Sequence, residues 1–240
     1  MNLNFKSDPR TNQDKWIVDL TNGGMGFGST LNKTAGYFIE AGACDGLSAS
    51  NTYVLEKELN WKGICVEPNN KWFNELIKNR DACENVALYS KDGEIDFVEC
   101  NYRDNDMYTF EFDADMKYYS GIKEHIYQQH KSVTDKGTII KKPCMTLENL
   151  LDKHETPFII DYVSLDTEGS EYEILKNFPF NTYPKQIMAF SIEEAYNYTR
   201  SDSCCALLNS IGYIEVKNKF SNADYEHYYV HPSHTCFTRR

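Results

Sequence analysis

Short strand-like apolar runs alternate with amphipathic helical segments over most of this chain. The first such run covers residues 36–41, and a helix is predicted over 48–59 with Ser48 as its cap. The run 63–68 and a helix over 71–80 complete a strand–helix–strand–helix unit. Since parallel strands need helical crossovers, this order predicts an α/β fold with a doubly wound, mostly parallel sheet.

The rest of the chain continues the same alternation, with one interruption. Strands are predicted over 83–88, 94–99, 158–165, 186–192, 213–217 and 225–230, and helices over 146–153, 170–178 and 202–211. Residues 101–142 mix acidic and aromatic side chains without a clear period, and we interpret them as an insertion. The prediction is one domain over residues 1–240 with about seven strands, a lead-in over 1–35 and an insertion that could determine substrate specificity.

The composition and net charge of the chain argue against several classes of function. No run of about eighteen apolar residues is present, and the first ten residues lack the apolar core of a signal peptide, so we expect a soluble cytoplasmic protein. The eight cysteines lack the spacing of a disulfide framework. A net charge of -11 opposes binding to a nucleic-acid backbone. One basic stretch is interpreted as a solvated surface: Lys131, Lys136, Lys141 and Lys142.

Acidic side chains and glycines lie where the predicted parallel strands end, which is where such sheets bind ligands. Glu40, Gly42, Asp45 and Gly46 surround the first turn, and Glu67 ends the second strand. Glycines allow the backbone to approach a ligand closely, and a carboxylate after the second strand can accept hydrogen bonds from both hydroxyls of a ribose. The acidic turn would repel the pyrophosphate of a dinucleotide, so it favours a cationic or zwitterionic ligand.

Two other groups of residues resemble functional motifs, but we interpret neither of them as a ligand site. The glycine cluster 23–28 precedes the first strand instead of following it, so we interpret it as a flexible loop. His227, His231, His234 and Cys236 have the composition of a metal site but not its usual spacing. We therefore predict no metal site, although a divalent metal is compatible with the acidic strand ends.

Several motifs together carry a family resemblance. They are the segment 13–16 (QDKW), the first strand and turn 36–46 (GYFIEAGACDG), the segment 50–52 (SNT), the second strand 61–68 (WKGICVEP), and the block 165–171 (LDTEGSE) preceded by 145–151 (MTLENLL). On these residues the chain resembles the FkbM family of S-adenosylmethionine-dependent methyltransferases. The resemblance implies a Rossmann-like class I methyltransferase fold, S-adenosyl-L-methionine as cofactor, and O-methylation, often of a sugar or polyketide hydroxyl.

The candidate site residues fall into two groups. The candidate cofactor-binding residues are Gln13, Glu40, Gly42, Ala43, Asp45, Gly46, Asn51, Glu67, Pro68, Asn85 and Asp166. The candidate catalytic residues are Asp166, Glu168 and Glu193. A carboxylate near the acceptor could orient it or take its proton, whereas Glu168 or Glu171 could instead stabilise the N-terminus of the following helix.

The predicted function is methyl transfer to a hydroxyl-bearing acceptor such as a sugar or glycan. Two alternatives stay open, a catalytically silent nucleoside-cofactor or partner-binding module and an NAD-dependent oxidoreductase. The silent module is favoured if Asp166 and Glu168 are buried in salt bridges without a cavity beside them, and disfavoured if they face an open pocket. Neither the acceptor nor the oligomeric state follows from the sequence.

Overall fold

The computed structural model describes residues 3–22, 35–100, 119–129, 137–194 and 203–235. Its helices are α1 (Gln13–Thr21), α2 (Tyr53–Leu59), α3 (Asn70–Asn79), α4 (Lys123–Gln129), α5 (Leu147–Lys153), α6 (Glu171–Leu175) and α7 (Cys204–Ser210). The strands are β1 (Tyr37–Ala41), β2 (Lys62–Val66), β3 (Cys83–Glu84), β4 (Ala87–Leu88), β5 (Gly93–Glu99), β6 (Gly121–Ile122), β7 (Thr138–Met145), β8 (Ile159–Ile160), β9 (Tyr162–Leu165), β10 (Gln186–Ile187), β11 (Ala189–Glu193), β12 (Ile214–Val216) and β13 (Glu226–Val230). None of the described helices is long and apolar enough to cross a membrane.

A seven-stranded sheet with the order β12-β13-β11-β9-β1-β2-β3 forms the centre of the fold. Its strands are parallel except β13, which is antiparallel to both of its neighbours. The chain builds outward from β1 to β3 and then returns to β9 on the other side of β1, so strand order reverses between β1 and β9. The predicted doubly wound, mostly parallel α/β sheet is confirmed, and its switch point is where ligands bind in such folds.

Hydrophobic side chains fill both faces of this sheet because neighbouring residues of a buried parallel strand point to opposite sides. In β1, Phe38 belongs to one core cluster and Ile39 to the other. Apolar residues of α1, α2 and α3 cover the Phe38 face, and those of α5, α6 and α7 cover the Ile39 face. The two helical layers hold the sheet so that the carboxyl ends of its strands stay open.

A second sheet, with the order β4-β7-β5-β6, lies beside the main sheet. The prediction of one strand over 83–88 is therefore wrong, since β3 pairs with β2 in the main sheet and β4 pairs with β7 in the second. Parts of the predicted insertion 101–142 are regular structure, because β6 and β7 both pair with β5. Its stretches 101–118 and 130–136 lie outside the described residues.

Several local predictions need correction. The helix expected from Ser48 begins only at Tyr53, because the Ser48 backbone and hydroxyl groups donate hydrogen bonds to Asp45 in a turn. The lead-in 1–35 contains α1, which was not predicted, and its glycine cluster 23–28 lies outside the described residues. In the basic stretch, Lys141 is exposed as expected, but Lys142 is buried. Its side chain points from β7 towards polar groups, so the solvated interpretation of Lys142 is wrong.

Candidate functional site

A cavity of about 330 Å³ opens at the carboxyl ends of β1, β2 and β9, beside the reversal of strand order. The loops that follow these strands form much of its wall, and the N-terminal segment and the ends of β11 and β13 complete it. Small-molecule sites typically occupy about 300–1,000 Å³. The cavity thus has the position and size of a ligand site of a doubly wound fold.

The first loop passes very close to the end of β9, and this close approach requires a glycine. The Gly42 and Ala43 amides donate hydrogen bonds of 3.0 and 3.1 Å to the Val66 carbonyl. Gly42 has a φ of 84°, and a Cβ there would lie 1.8 Å from the backbone oxygen of Asp166. Gly42 and Ala43 both line the cavity, as predicted for cofactor-binding residues.

Glu67 follows β2, and its buried carboxylate lines the cavity beside Pro68. Its two oxygens accept hydrogen bonds from the backbone amides of Cys44 (2.9 Å) and Asn69 (2.7 Å). Burial raises the pKa of Glu67 to about 7 against the lowering effect of these amides and of the Lys142 ammonium group. Because each carboxylate oxygen has two lone pairs, Glu67 can still accept one further hydrogen bond on each oxygen, as two ribose hydroxyls would donate.

Glu40 and Asn51 line the cavity but are also held by other parts of the protein. The Glu40 carboxylate accepts hydrogen bonds from the Asn51 amide (2.6 Å) and from the guanidinium of Arg80 (3.1 Å), and the hydroxyls of Ser50 and Thr52 also donate to it. The Asn51 carboxamide donates to Ser164 at 2.9 Å. Since protein donors already surround the Glu40 oxygens, this residue acts mainly on the shape of the loop.

Three carboxyl groups meet in the wall of the cavity: Asp166 and Glu168 after β9, and Glu193 at the end of β11. One oxygen of each lies within 4.8 Å of the others, a set that could hold a metal ion. The charge of Asp166, followed by burial and a hydrogen bond between the two groups, raises the pKa of Glu193 well above its usual value. Glu193 therefore keeps its proton to a higher pH than an ordinary glutamate does, and its carboxyl group can donate a hydrogen bond to Asp166.

The turn that presents Asp166 and Glu168 is held by Glu171. The Glu171 carboxylate accepts hydrogen bonds from the Thr167 amide (2.7 Å) and hydroxyl (2.8 Å) and from the Gly169 amide (3.3 Å). Glu168 has a φ of 60°, an uncommon left-handed conformation for a residue other than glycine. Of the two glutamates considered for the helix N-terminus, Glu171 thus performs the structural role, and Glu168 lines the cavity.

Three predicted cofactor-binding residues are not in the cavity wall. Asp45 accepts hydrogen bonds from Leu47 and Ser48, and so it closes the turn after Gly42. At Gly46 a Cβ would lie 2.5 Å from the Arg80 side chain, so this glycine serves packing. Asn85 donates hydrogen bonds to the backbone carbonyls of Glu67 (2.9 Å) and Pro68 (3.3 Å), which places it behind the site.

Gln13 lines the cavity as predicted, together with residues that the sequence did not single out. The most notable is Glu226, whose buried carboxyl group is hydrogen-bonded to Gln13 and has its pKa raised by burial and then by the charge of Asp166. Antiparallel pairing places Glu226 directly opposite Glu193. No local pattern indicates such a pairing, so only the sheet could have identified Glu226. Other additions to the wall are Asp8, Arg10, Thr11, Ser48, Ser120, Thr167 and Tyr225.

The wall of the cavity is strongly acidic. Among the described lining residues, Arg10 supplies the basic side chain, against the carboxyl groups of Asp8, Glu40, Glu67, Asp166, Glu168, Glu193 and Glu226. The pKa of Glu67, Glu193 and Glu226 is raised and Glu40 is paired with Arg80, so only part of this set carries negative charge. The wall still offers many hydrogen-bond acceptors and one basic side chain, which opposes a phosphate-bearing ligand and suits one that carries positive charge. S-adenosylmethionine, with its sulfonium, ammonium and ribose groups, fits both the charge of the wall and the Glu67 acceptor.

Comparison with known protein families gives a match over most of the cavity-forming part of the chain. A family model described as the methyltransferase FkbM domain matches residues 40–196, which include the first loop, Glu67 and the three clustered carboxyl groups. No curated protein matches the sequence of the chain.

Solved methyltransferase structures resemble the chain at low identity. The METTL16 MTase domain is 15% identical with a TM-score of 0.46, over 91% of this chain and 65% of that one. Methyltransferase FkbM from Methylobacillus flagellatus KT is 12% identical with a TM-score of 0.45, over 82% of this chain and 44% of that one. The human methyltransferase 10 domain containing protein is 14% identical with a TM-score of 0.42, over 92% and 80%. The chain thus spans less than two thirds of the first two structures.

Proposed function

Because the chain belongs to the FkbM methyltransferase family, with S-adenosylmethionine as its cofactor, we propose that it is an O-methyltransferase whose acceptor is a hydroxyl of a sugar or glycan. The cofactor supplies an electrophilic methyl group, and the protein must hold donor and acceptor in line and exclude water. The observation that carries the proposal is the group Asp166, Glu168 and Glu193, which faces the same cavity as the Gly42 loop and Glu67.

The residues of the cavity divide into two ends with different tasks. At one end, Glu67 would accept hydrogen bonds from the two ribose hydroxyls, and the cavity-lining loop at Gly42 and Ala43 would hold another part of the cofactor. The loops at this end are held by the hydrogen bonds and packing of four further residues, Glu40, Asp45, Asn85 and Gly46. The acidic wall attracts a ligand with positive charge.

At the other end, Asp166 is the proposed general base. Asp166 would accept the proton of an acceptor hydroxyl as that oxygen takes the methyl group from the sulfonium, and the neighbouring Glu193, whose pKa is raised, is hydrogen-bonded to Asp166. Glu168 is proposed to orient the acceptor by accepting a hydrogen bond from a neighbouring hydroxyl, as a sugar would provide. A base within reach of the reacting hydroxyl typically contributes about 10²- to 10⁴-fold to the rate.

The residues that line the cavity argue against the two alternative functions, the silent module and the NAD-dependent oxidoreductase. A silent module would bury Asp166 and Glu168 in salt bridges away from any cavity, whereas both residues line one here. An NAD-dependent oxidoreductase would need to accommodate a pyrophosphate beside the carboxylates of the first loop and Glu67, which the charge of the wall opposes.

The test has a binding step and a transfer step. Calorimetry with S-adenosylmethionine, S-adenosylhomocysteine and NAD in parallel should give micromolar binding of the two adenosyl ligands and none of NAD. Transfer of a labelled methyl group should then be measured to neutral sugars and oligosaccharides, to an amino sugar and to an RNA oligonucleotide, and the methylated atom identified by mass spectrometry.

Asp166→Asn should lower the transfer rate by about 10²-fold or more while cofactor binding changes little. Asp81→Asn is the matched control, because it removes an equally charged carboxylate that is 81% exposed. Binding of NAD alone would exclude the methyltransferase. Methylation of a nitrogen atom would exclude the O-methyltransferase, methylation of the RNA alone would exclude a sugar or glycan acceptor, and full activity of Asp166→Asn would exclude this base.

A further inference from the structure

A buried lysine lies behind the cofactor end of the cavity without lining it. Lys142 is only 3% exposed, although it belongs to β7 of the second sheet and follows the exposed Lys141. Taking an ammonium group out of water is costly unless hydrogen bonds and negative charges compensate it. The groups that bind the buried Lys142 ammonium group therefore indicate the role of this residue.

The Lys142 ammonium group is linked to the backbone of Glu67 through one carboxamide. Its Nζ atom donates a hydrogen bond of 2.6 Å to Oδ1 of Asn85. The Nδ2 atom of Asn85 donates in turn to the carbonyls of Glu67 (2.9 Å) and Pro68 (3.3 Å). By fixing Oδ1, Lys142 sets the orientation of the Asn85 carboxamide and directs its donors to the turn after β2.

A second contact reaches the helix that follows the same turn. Lys142 Nζ donates a hydrogen bond of 2.8 Å to Oδ1 of Asn70, the first residue of α3. The Asn70 amide donates to the Glu99 carboxylate at 2.8 Å. Lys142 is therefore held between Asn85, whose donors reach the turn after β2, and the first residue of α3.

We propose that Lys142 is a positioning residue for the cofactor site: it orients the turn after β2 through Asn85 and places a positive charge near the Glu67 carboxylate. The inference rests on the proposed function to the extent that Glu67 binds the cofactor ribose. It makes the second sheet part of the cofactor site, since Lys142 reaches this turn from β7.

The charges and donors around Glu67 predict how the loss of Lys142 would be observed. Glu67 is surrounded by the amides of Asn69 and Cys44 and by Lys142, which favour its ionised form, and by Asp166, which disfavours it. Burial disfavours the ionised form most, and the pKa of Glu67 is raised to about 7. Without the Lys142 charge, Glu67 becomes protonated at higher pH, so the ribose acceptor weakens at neutral pH and recovers at alkaline pH.

The experiment is a titration of the protein with S-adenosylhomocysteine at a series of pH values from about 5.5 to 8.5. The variants are Lys142→Met, Lys142→Gln and Lys142→Arg, with Lys141→Met as the matched control. Lys141 is the neighbour of Lys142, and its side chain is 68% exposed beside Asp96. Both methionine variants therefore change the net charge equally, but only one changes the buried contact.

The wild type should bind more weakly as the pH falls through about 7. In Lys142→Met and Lys142→Gln this transition should move to higher pH, with about tenfold weaker binding at pH 7 and a return towards wild-type affinity at the alkaline end. Lys142→Arg should keep the wild-type transition, because it keeps the charge. Lys141→Met should follow the wild type throughout.

Two results would overturn the inference while leaving the proposed function intact. One is a loss of affinity in Lys142→Met and Lys142→Gln that is the same at every pH, which indicates a structural role only. The other is an equal shift in Lys141→Met, which indicates an effect of net charge. Thermal unfolding of each variant identifies a folding failure, and Lys142→Gln, which can still donate to the two asparagines, is the variant to use if Lys142→Met does not fold. Absence of binding by the wild type would overturn the proposed function itself.

Discussion

Gly42 is a single residue on which the geometry of the cavity depends. Its φ is 84°, and a Cβ at this position would lie only 1.8 Å from the Asp166 carbonyl oxygen, so both the backbone conformation and the available space exclude a side chain. The close approach keeps the first loop and the carboxyl end of β9 against the same cavity. A larger residue would have to separate them.

Gly42→Ala is expected to destabilise the protein by about 2 kcal/mol or more and to weaken cofactor binding, because the new methyl group overlaps backbone. Gly212→Ala is the matched control: its φ is 93°, but the nearest atom to a Cβ lies 3.9 Å away, so it should cost only about 1 kcal/mol. Urea unfolding and S-adenosylhomocysteine titration measure both effects. Equal effects of the two substitutions would show that the contact with Asp166 is unimportant.

Glu67 offers a second test at the scale of one side chain. Glu67→Ala should weaken binding of S-adenosylhomocysteine by about 1.5–3 kcal/mol, which is roughly ten- to hundredfold, since hydrogen bonds to a charged acceptor are lost. Glu75→Ala removes a carboxylate that is 50% exposed and paired with Lys78, and it should leave the affinity unchanged. Unchanged affinity of Glu67→Ala by calorimetry would remove Glu67 from the site.

A buried ion-pair network joins three elements of the main fold, β1, α2 and the end of α3. Arg80, which follows α3, is completely buried and donates to Glu40 of β1 and Glu56 of α2 at 3.1 Å each. It also donates to the hydroxyls of Ser50 and Thr52. Glu40 in turn accepts hydrogen bonds from the Asn51 amide and the Ser50 and Thr52 hydroxyls, so this network and the Asp45 turn at Ser48 together account for a helix that begins at Tyr53.

Arg80→Met should lower the free energy of unfolding by about 3–5 kcal/mol, because Glu40 would stay buried without its cation and Glu56 would keep only Lys57. Lys78→Met, on an exposed ion pair two residues earlier, should change it by less than about 1 kcal/mol. Urea denaturation of both variants is the measurement. A loss as small as that of the control would mean that the network is not a main source of stability.

For the whole molecule, the buried carboxyl groups make stability depend on pH. Glu67 and Glu171 have folded-state pKa values raised to about 7 by burial, against about 4.3 for glutamate in an unfolded chain. The folded state therefore binds more protons than the unfolded state between these values. Their stabilisation is fully present below about pH 4.3 and is lost as the pH rises through about 7.

We expect Glu171→Gln to reduce the decrease in the free energy of unfolding between about pH 5 and 8 by an amount on the order of 2–3 kcal/mol. The substitution removes one buried carboxyl group with a raised pKa and leaves the others, Glu67 among them, in place. Urea denaturation without cofactor at each pH gives the two profiles. Parallel profiles for the variant and the wild type would contradict the assignment of Glu171.

Local sequence patterns identified those parts of the site that lie at strand ends. The apolar runs around Phe38 and Ile64 predicted β1 and β2, and the acids directly after or within them predicted Glu40 and Glu67 at the cavity. Asn85 and Asp45 were predicted in the same neighbourhood but act behind the wall. Sequence adjacency gives the region of such a residue, but the direction of its side chain depends on contacts with other elements.

The sequence by itself determined the alternation of strands and helices, the main sheet and the strand ends at which the ligand site lies, because these follow from side-chain periodicity and chain connectivity. Only the tertiary structure decided which distant residues meet. Antiparallel pairing of β13 with β11 placed Glu226 opposite Glu193, and pairing of β7 with β4 and β5 buried Lys142 behind Glu67. Such contacts arise from hydrogen bonding between strands far apart in the chain, whose register no local pattern encodes.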